Sequence, residues 1–330
     1  MQGGKNVKRS ILIVGLLFIT YGLGLVALTV LAQSYPSRPI QLIIPNVPGS
    51  IMDVNARILS DELGKLLGTQ IVVVAKPGGA SIFGTDFVAK SKKDGYTIGY
   101  LSASGLIYAR ITHPETFPYD PDKDLEPLGL HLFVPLTAAV QASSPWKTFD
   151  ELIDYAKKNP GKLRVSTIGV GAIDHFNLEV MQAMTGAQFT MIPFKGGESV
   201  ITALLGGHVE VTFDAFGKVI PHVDSRQLRI LLVSKKMPGY PNIPTAAELG
   251  YKQGLLSTWF AFYGPSGLPE DIKRTLVTAI EKAVKNPELK AKVDKMGYVV
   301  DYKSPAELYK LKKEEYEIAN ALAAKMGLGK

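Results

Sequence analysis

The stretch IQLIIPNVPGSIMDVNARIL, Ile40–Leu59, starts as an apolar strand, breaks at two prolines and a glycine, and restarts as a helix. Ser50-Ile51-Met52-Asp53 matches a capped helix start, a hydroxyl followed three residues later by an acid. A turn alone needs only Gly49; opening a helix here also leaves backbone N–H groups aimed above the strand. Outward from it, Val54, Ile58, Leu59, Leu63, Leu66 and Leu67 recur at helical spacing, and Gly68 ends the helix. QIVVVA (Gln70–Ala75) is a second β-branched run. Strand, helix and strand in this order predict a parallel sheet with helices on it.

The alternation continues. GYTIGYL (Gly95–Leu101) is a third strand after a helix around Thr85–Lys90. A second set follows with PLTAAVQ (Pro135–Gln141) and a helix capped by Thr148 and closed by Asn159-Pro160-Gly161. LRVST (Leu163–Thr167), FTMIPF (Phe189–Phe194), VEVTFD (Val209–Asp214) and LRILLVS (Leu228–Ser234) complete it. TWFAFYGP (Thr258–Pro265) reads as a returning strand, followed by two amphipathic helices, the last opening at Ser304-Pro305. The expected fold class is α/β, with two lobes.

Lys5, Lys8 and Arg9 precede an uncharged run from Ser10 to Gln33 that ends in Val30-Leu31-Ala32. This is the form of a secretory signal cleaved after Ala32. The run is also about 20 residues long, enough to remain as a membrane anchor. Both readings put the folded part outside the cytoplasm. The three basic residues of this segment belong to the formal +7 of the 330-residue chain, leaving +4 on the rest. With no tight Lys/Arg cluster, that charge reads as a solvated surface rather than a nucleic-acid footprint. The absence of cysteine excludes disulfides, thiolate catalysis, cysteine zinc sites and a lipoprotein tether. Five dispersed histidines show no metal-ligand spacing. GVGAID lacks the third glycine of a dinucleotide loop, and Ser102 and Ser104 stand in SASG rather than in a nucleophile elbow. No enzyme, cofactor or metal is expected.

Three strands end in glycine-bearing loops that open helices: PNVPGSIMD, KPGGASIFG and STIGVGAID. Helix starts carry unsatisfied N–H groups and the positive end of the helix dipole, and so suit anions. A charge-assisted hydrogen bond to a carboxylate contributes about 1.5–3 kcal/mol net. Three such junctions at the carboxyl edges of parallel strands therefore suffice to hold a small acid without an arginine.

From about Tyr35 to the C-terminus the chain resembles the extracytoplasmic solute receptors of tripartite tricarboxylate transporters, often called Bug proteins. The resemblance rests on YPSRPIQLIIP, PG followed by DVNAR, KPGG with a later DGYT, YDPDKDLEPLG, NPGKLRVS, GVGAIDH, IPFKGG, LLGGHVEVTFD, NIPTAAELG and STWFAFYGPSGLP. It implies a periplasmic-binding-protein-like fold, two α/β lobes closing by a hinge on a ligand cleft. It also implies capture of a small organic acid by a periplasmic or extracytoplasmic receptor that acts as a monomer. Delivery would be to membrane permease subunits. Residues 35–132 plus 257–330 would form lobe 1 and residues 133–256 lobe 2. The alternatives are an anchored receptor feeding a sensor protein and a nucleotide-using α/β enzyme.

Candidate ligand contacts in lobe 1 are Pro48, Gly49, Ser50, Ile51, Met52, Asp53, Gly79, Ala80, Ser81, Ile82 and Ser102. In lobe 2 they are Gly169, Gly171, Ala172, Ile173, His175, Lys195 and Asp214. Asp53 is expected to organise its loop, and His175 either donates to the ligand or is an inert cap. Lys195 either pairs with a carboxylate or is solvated, Lys218 adds a charge untypical of the family, and Trp259 and Phe260 pack at the hinge. The family's loops are richer in hydroxyl and amide side chains; here Ile51, Met52, Ile82, Phe83 and Ile173 stand in or beside them. That substitution points to an acid with an alkyl or aromatic body rather than citrate.

Overall fold

The apolar runs of the sequence assemble into two sheets, as a computed structural model shows for residues 35–194, 197–237 and 239–328. The described residues from Arg38 onward form one unit. The signal or anchor read at residues 1–32 lies outside the described residues, as does Lys195.

The chain begins with β1 (Ile40–Ile44), α1 (Ile51–Leu67), β2 (Ile71–Ala75), α2 (Ile82–Ala89) and β3 (Thr97–Ser102). A π-helical turn (Ser104–Tyr108) then runs into α3 (Ala109–Thr112), followed by β4 (Leu125–Val134) and β5 (Leu136–Gln141). Next come α4 (Phe149–Lys158), β6 (Arg164–Thr167), α5 (Ile173–Thr185), β7 (Thr190–Pro193) and α6 (Gly197–Leu205). After these are β8 (Val211–Ala215), α7 (Phe216–Asp224), β9 (Leu228–Val233) and β10 (Thr258–Pro265). The chain closes with α8 (Glu270–Val284), α9 (Pro287–Lys295), β11 (Val299–Lys303) and α10 (Pro305–Lys325).

The first sheet has the order β11-β4-β10-β3-β1-β2 and the second β7-β6-β8-β5-β9. Each contains a parallel triplet, β2-β1-β3 and β7-β6-β8. The fourth strand is antiparallel in both sheets: β10 beside β3, β5 beside β8. Both inserted strands are the first to follow a crossing between sheets. The two lobes therefore share one topology despite having no sequence repeat. In each, the central strand is where successive connections leave in opposite directions, the place where open α/β sheets bind ligands.

Two strands go beyond those read from the sequence: β4, which leads out of the first sheet, and β11, which stands among three C-terminal helices rather than two. Glu126, Pro127, Gly129 and His131 interrupt both periods in β4, and its ladder with β10 shifts register twice, so no clean alternation exists. β11 is a five-residue edge strand, half-buried throughout, with no apolar run to announce it.

Only Pro135 separates β4 from β5. The return path runs alongside: Ser234 N–H donates to Leu136 O at 2.8 Å, Leu136 N–H to Ser234 Oγ at 2.9 Å, and the Ser234 and Ser257 hydroxyls lie 2.6 Å apart. Both crossings thus sit side by side. Trp259 and Phe260, just after the return, are buried in β10. One apolar cluster extends from Ile43 and Leu101 through Tyr108 and Phe176 to Val165 and Phe213, with members from both sheets.

Candidate functional site

Ser50 caps α1 as its position implied, its hydroxyl accepting from Asp53 N–H at 3.3 Å. Asp53 reaches back to accept from Gly49 N–H at 2.9 Å and pairs with Arg57 at 2.9 Å. Arg57, then Gly49, hold its carboxyl below the usual range against the effect of burial. Asp53 is a buried loop organiser, and the amides of Ile51 and Met52 are the orphans of the helix start. Pro48 is exposed, and the Met52 side chain is buried beneath the loop.

The second junction is strained. Gly79, Ala80 and Ser81 hold φ of +58°, +52° and +77°, and the last two carry side chains, at about 1–2 kcal/mol each in this region. Local bonds maintain it: Thr85 Oγ1 donates to Ser81 O at 2.7 Å and Ser104 Oγ to Ala80 O at 3.3 Å. Gly105 lets the π-helical turn approach, since a Cβ there would lie 2.7 Å from Thr85 Oγ1. Ile82 turns into the core, whereas Phe83 is 64% exposed with its ring over Gly78 and Gly79. Ser102, buried at the end of β3, pairs with Phe260.

In the second lobe Ala172, at the N-cap of α5, has no side-chain hydrogen bond to give, and the acid two residues on takes that role. Ile168 N–H donates to Asp174 Oδ2 at 2.5 Å and His175 N–H to Asp174 Oδ1 at 3.0 Å. Asp174 is buried, which pushes its carboxyl up to about 6 despite those donors, with Asp214 adding to the rise. Gly171 N–H donates to His175 Nδ1 at 3.0 Å, so this histidine holds its own loop and only Nε2 is left to donate. Burial lowers its pKa, favouring the neutral ring. Ile173 is half-buried against the core. Asp214, at the end of β8, accepts from Ala215 N–H at 2.7 Å.

A chain of close approaches connects these junctions. A Cβ on Gly84 would lie 2.8 Å from Pro45, linking the first loop to the start of α2. Ser104 and Gly105 link the second loop to the π-helical turn, which continues into α3. There Thr112 meets the other lobe: a Cβ on Gly171 would lie 2.4 Å from Thr112 Cγ2. Gly169 and Gly171 both take positive φ, at +131° and +80°. Exposed apolar side chains stand on the same three junctions: Val47, Phe83, Ile168 and Val170.

Asp174, Thr112, Ser104 and Val170 were not among the residues expected from sequence. For Asp174 the signal existed, because it stands in the first turn of a helix after a glycine loop, as Asp53 does. Thr112 and Ser104 carry no such mark; only folding brings them to the loops. A cavity of about 540 Å³ lies elsewhere, between Arg110, Phe117, Tyr119 and Tyr316, with Asp120 and Asp124 on its wall. Those acids make it a poor place for a carboxylate.

Residues 55–328 match the family described as tripartite tricarboxylate transporter family receptor. The chain is 34% identical over 283 residues to Protein BugT of Bordetella pertussis, covering 85% of this chain and 86% of that one. A TctC solute-binding protein from Polaromonas has the same fold, with a TM-score of 0.78 and 27% identity over 88% of this chain and all of that one. A protein of R. palustris solved with adipate superposes with a TM-score of 0.75 and 26% identity, covering 89% of this chain and 99% of that one. These relatives are solute-binding receptors rather than enzymes. By its sequence, its two-lobed topology and these likenesses, the chain belongs to the tripartite tricarboxylate transporter receptor family.

Proposed function

We propose that this receptor works outside the cytoplasm, captures a small organic acid with an alkyl or aromatic body between its lobes, and hands it to membrane permease subunits. The carrying observation is the contiguous path from the first loop to Gly171, with the helix-start amides of Ile51 and Met52 at one end and apolar side chains along it. The amides of Ile51 and Met52 grip one carboxylate, and Val47, Phe83 and Val170 shed water against the rest of the ligand. Residues 35–132 with 257–330, and 133–256, act as the two moving bodies, with the paired crossings at Pro135 and Ser234 as the hinge. The N-terminal run delivers the chain across the membrane, whether cleaved or retained. The adipate held by a relative of the same fold supports an acid as the ligand class.

Mass spectrometry of ligand released from the purified protein, followed by isothermal titration with a panel of acids, tests the reading. The expected outcome is a released acid with an apolar body, and titration that favours such acids over citrate. Tight citrate binding with no uptake of apolar acids would end the idea.

A further inference from the structure

We propose that Asp174 makes this receptor selective for acids with a single carboxylate, by setting its own charge on the helix-start amides where a second carboxylate would sit. The inference rests on the acid-receptor reading above and concerns which acids that site accepts.

The two lobes treat their junctions differently. At α1 the cap is the neutral Ser50 hydroxyl, and the charge of Asp53 is matched by Arg57 at 2.9 Å. The positive end of that helix therefore stays available to an anion. At α5 a carboxylate of the chain itself already takes up donors at the helix start. Ile168 and His175 give their N–H groups to Asp174, whose own amide also faces its carboxylate. Among the described residues Asp174 makes no ion pair, and its charge faces the α5 dipole.

Asp214, at the end of β8, adds negative potential at Asp174. Asp214 itself and Lys218 on α7 each hold a further interaction within the protein. His175, next in sequence, uses Nδ1 to accept from Gly171 and is favoured as the neutral ring. A ligand that places one carboxylate on the α1 side thus meets, at α5, a helix start that already faces the Asp174 carboxylate. Its far end is favoured when uncharged, and Ile168 and Val170, both exposed, offer apolar surface there.

The test compares acids matched in length and differing by one carboxylate: hexanoate with adipate, and benzoate with terephthalate. Titration calorimetry is run on the parent, Asp174→Asn and Ser50→Ala proteins. In the parent at least one monoacid is expected to bind about tenfold or more tighter than its diacid, the scale of one like-charge approach in a partly screened site. Asp174→Asn keeps the acceptor oxygen and removes the charge; it is expected to close most of that gap by strengthening the diacid. Ser50→Ala is expected to weaken both members of a pair by the same factor, because it acts on the carboxylate they share. The proposal is overturned if the parent binds the diacids as tightly as the monoacids, or if Asp174→Asn folds and leaves their ratio unchanged. Those results leave the acid-receptor reading standing. If no acid of either pair binds, both readings fall. The parent ratio decides even if a variant does not fold.

Discussion

Thr112 and Gly171 show how much a single contact between lobes depends on one missing methyl. Gly171 holds φ +80°, and an added Cβ would lie 2.4 Å from Thr112 Cγ2. Gly171→Ala therefore carries two costs, a left-handed alanine and an overlap with a β-branched side chain. Together they are expected to lower stability by about 2–3 kcal/mol. Thr112→Ser removes the methyl and keeps the hydroxyl that donates to Tyr108 O at 2.9 Å. Added to Gly171→Ala it is expected to restore the overlap share but not the backbone share, measured by urea unfolding of the four proteins of the cycle. Strict additivity would mean the two surfaces do not meet there. Gly169 and Gly171 are readable in sequence as loop glycines; Thr112 as the partner of Gly171 is not, being 59 residues away in the chain.

Among the helices, caps decide where chemistry can occur. α4 opens with a complete capping box: Thr148 Oγ1 accepts from Glu151 N–H at 3.2 Å, and Thr148 N–H donates to Glu151 Oε2 at 3.4 Å. α10 opens the same way at Ser304 and Glu307. Both were legible, because a capping box is local and needs no distant partner. Thr148→Ala is expected to cost about 1 kcal/mol, or roughly 2–4 °C in melting temperature followed by circular dichroism. Acid binding should be unchanged, since the starts of α1, α2 and α5 that carry the junctions remain intact. A loss of binding equal to that of a junction variant would place α4 at the ligand, against this arrangement. α5 was legible only at its start, in STIGVGAID; its cap by Asp174 needs the loop to fold back to Ile168.

Across the whole molecule, Glu315 ties together parts far apart in the chain. From α10 it accepts from Tyr108 Oη at 2.5 Å and from Trp259 Nε1 at 2.6 Å, while the Tyr108 ring lies 5.0 Å from Phe176 of the other lobe. Burial pushes its carboxyl from 4.5 up to about 7. Between those values the folded chain holds a proton that the unfolded chain has released. Stability contributed by the protonated acid is therefore full below pH 4.5 and is lost as pH rises toward 7. Relative to Glu315→Gln, which stays neutral, the parent is expected to lose up to about 3 kcal/mol across that window. Comparing denaturant unfolding of the two proteins at intervals from pH 4.5 to 8 measures it, and a flat difference would sink the assignment. The buried His131, lowered to about 3 by desolvation, works the opposite way as pH falls below 6.5, but it is common to both proteins and cancels in the comparison.

What the sequence determined by itself was whatever is encoded by neighbours in the chain. The βαβ order, the caps at Ser50, Thr148 and Ser304, and the glycine breaks after β1, β2 and β6 are all short-range patterns of period, hydroxyl and turn. With the family likeness, they were enough for two α/β lobes and a solute-binding receptor. Only the tertiary structure decided that β10 and β5 insert antiparallel beside the parallel triplets, that the two crossings lie together at Pro135 and Ser234, and that Met52 and Ile82 face the core. It alone set Asp174 on the α5 amides and Thr112 against Gly171. The reason is physical: strand pairing, burial and the charge met by a ligand depend on groups brought close through space, and separation along the chain says nothing of that distance.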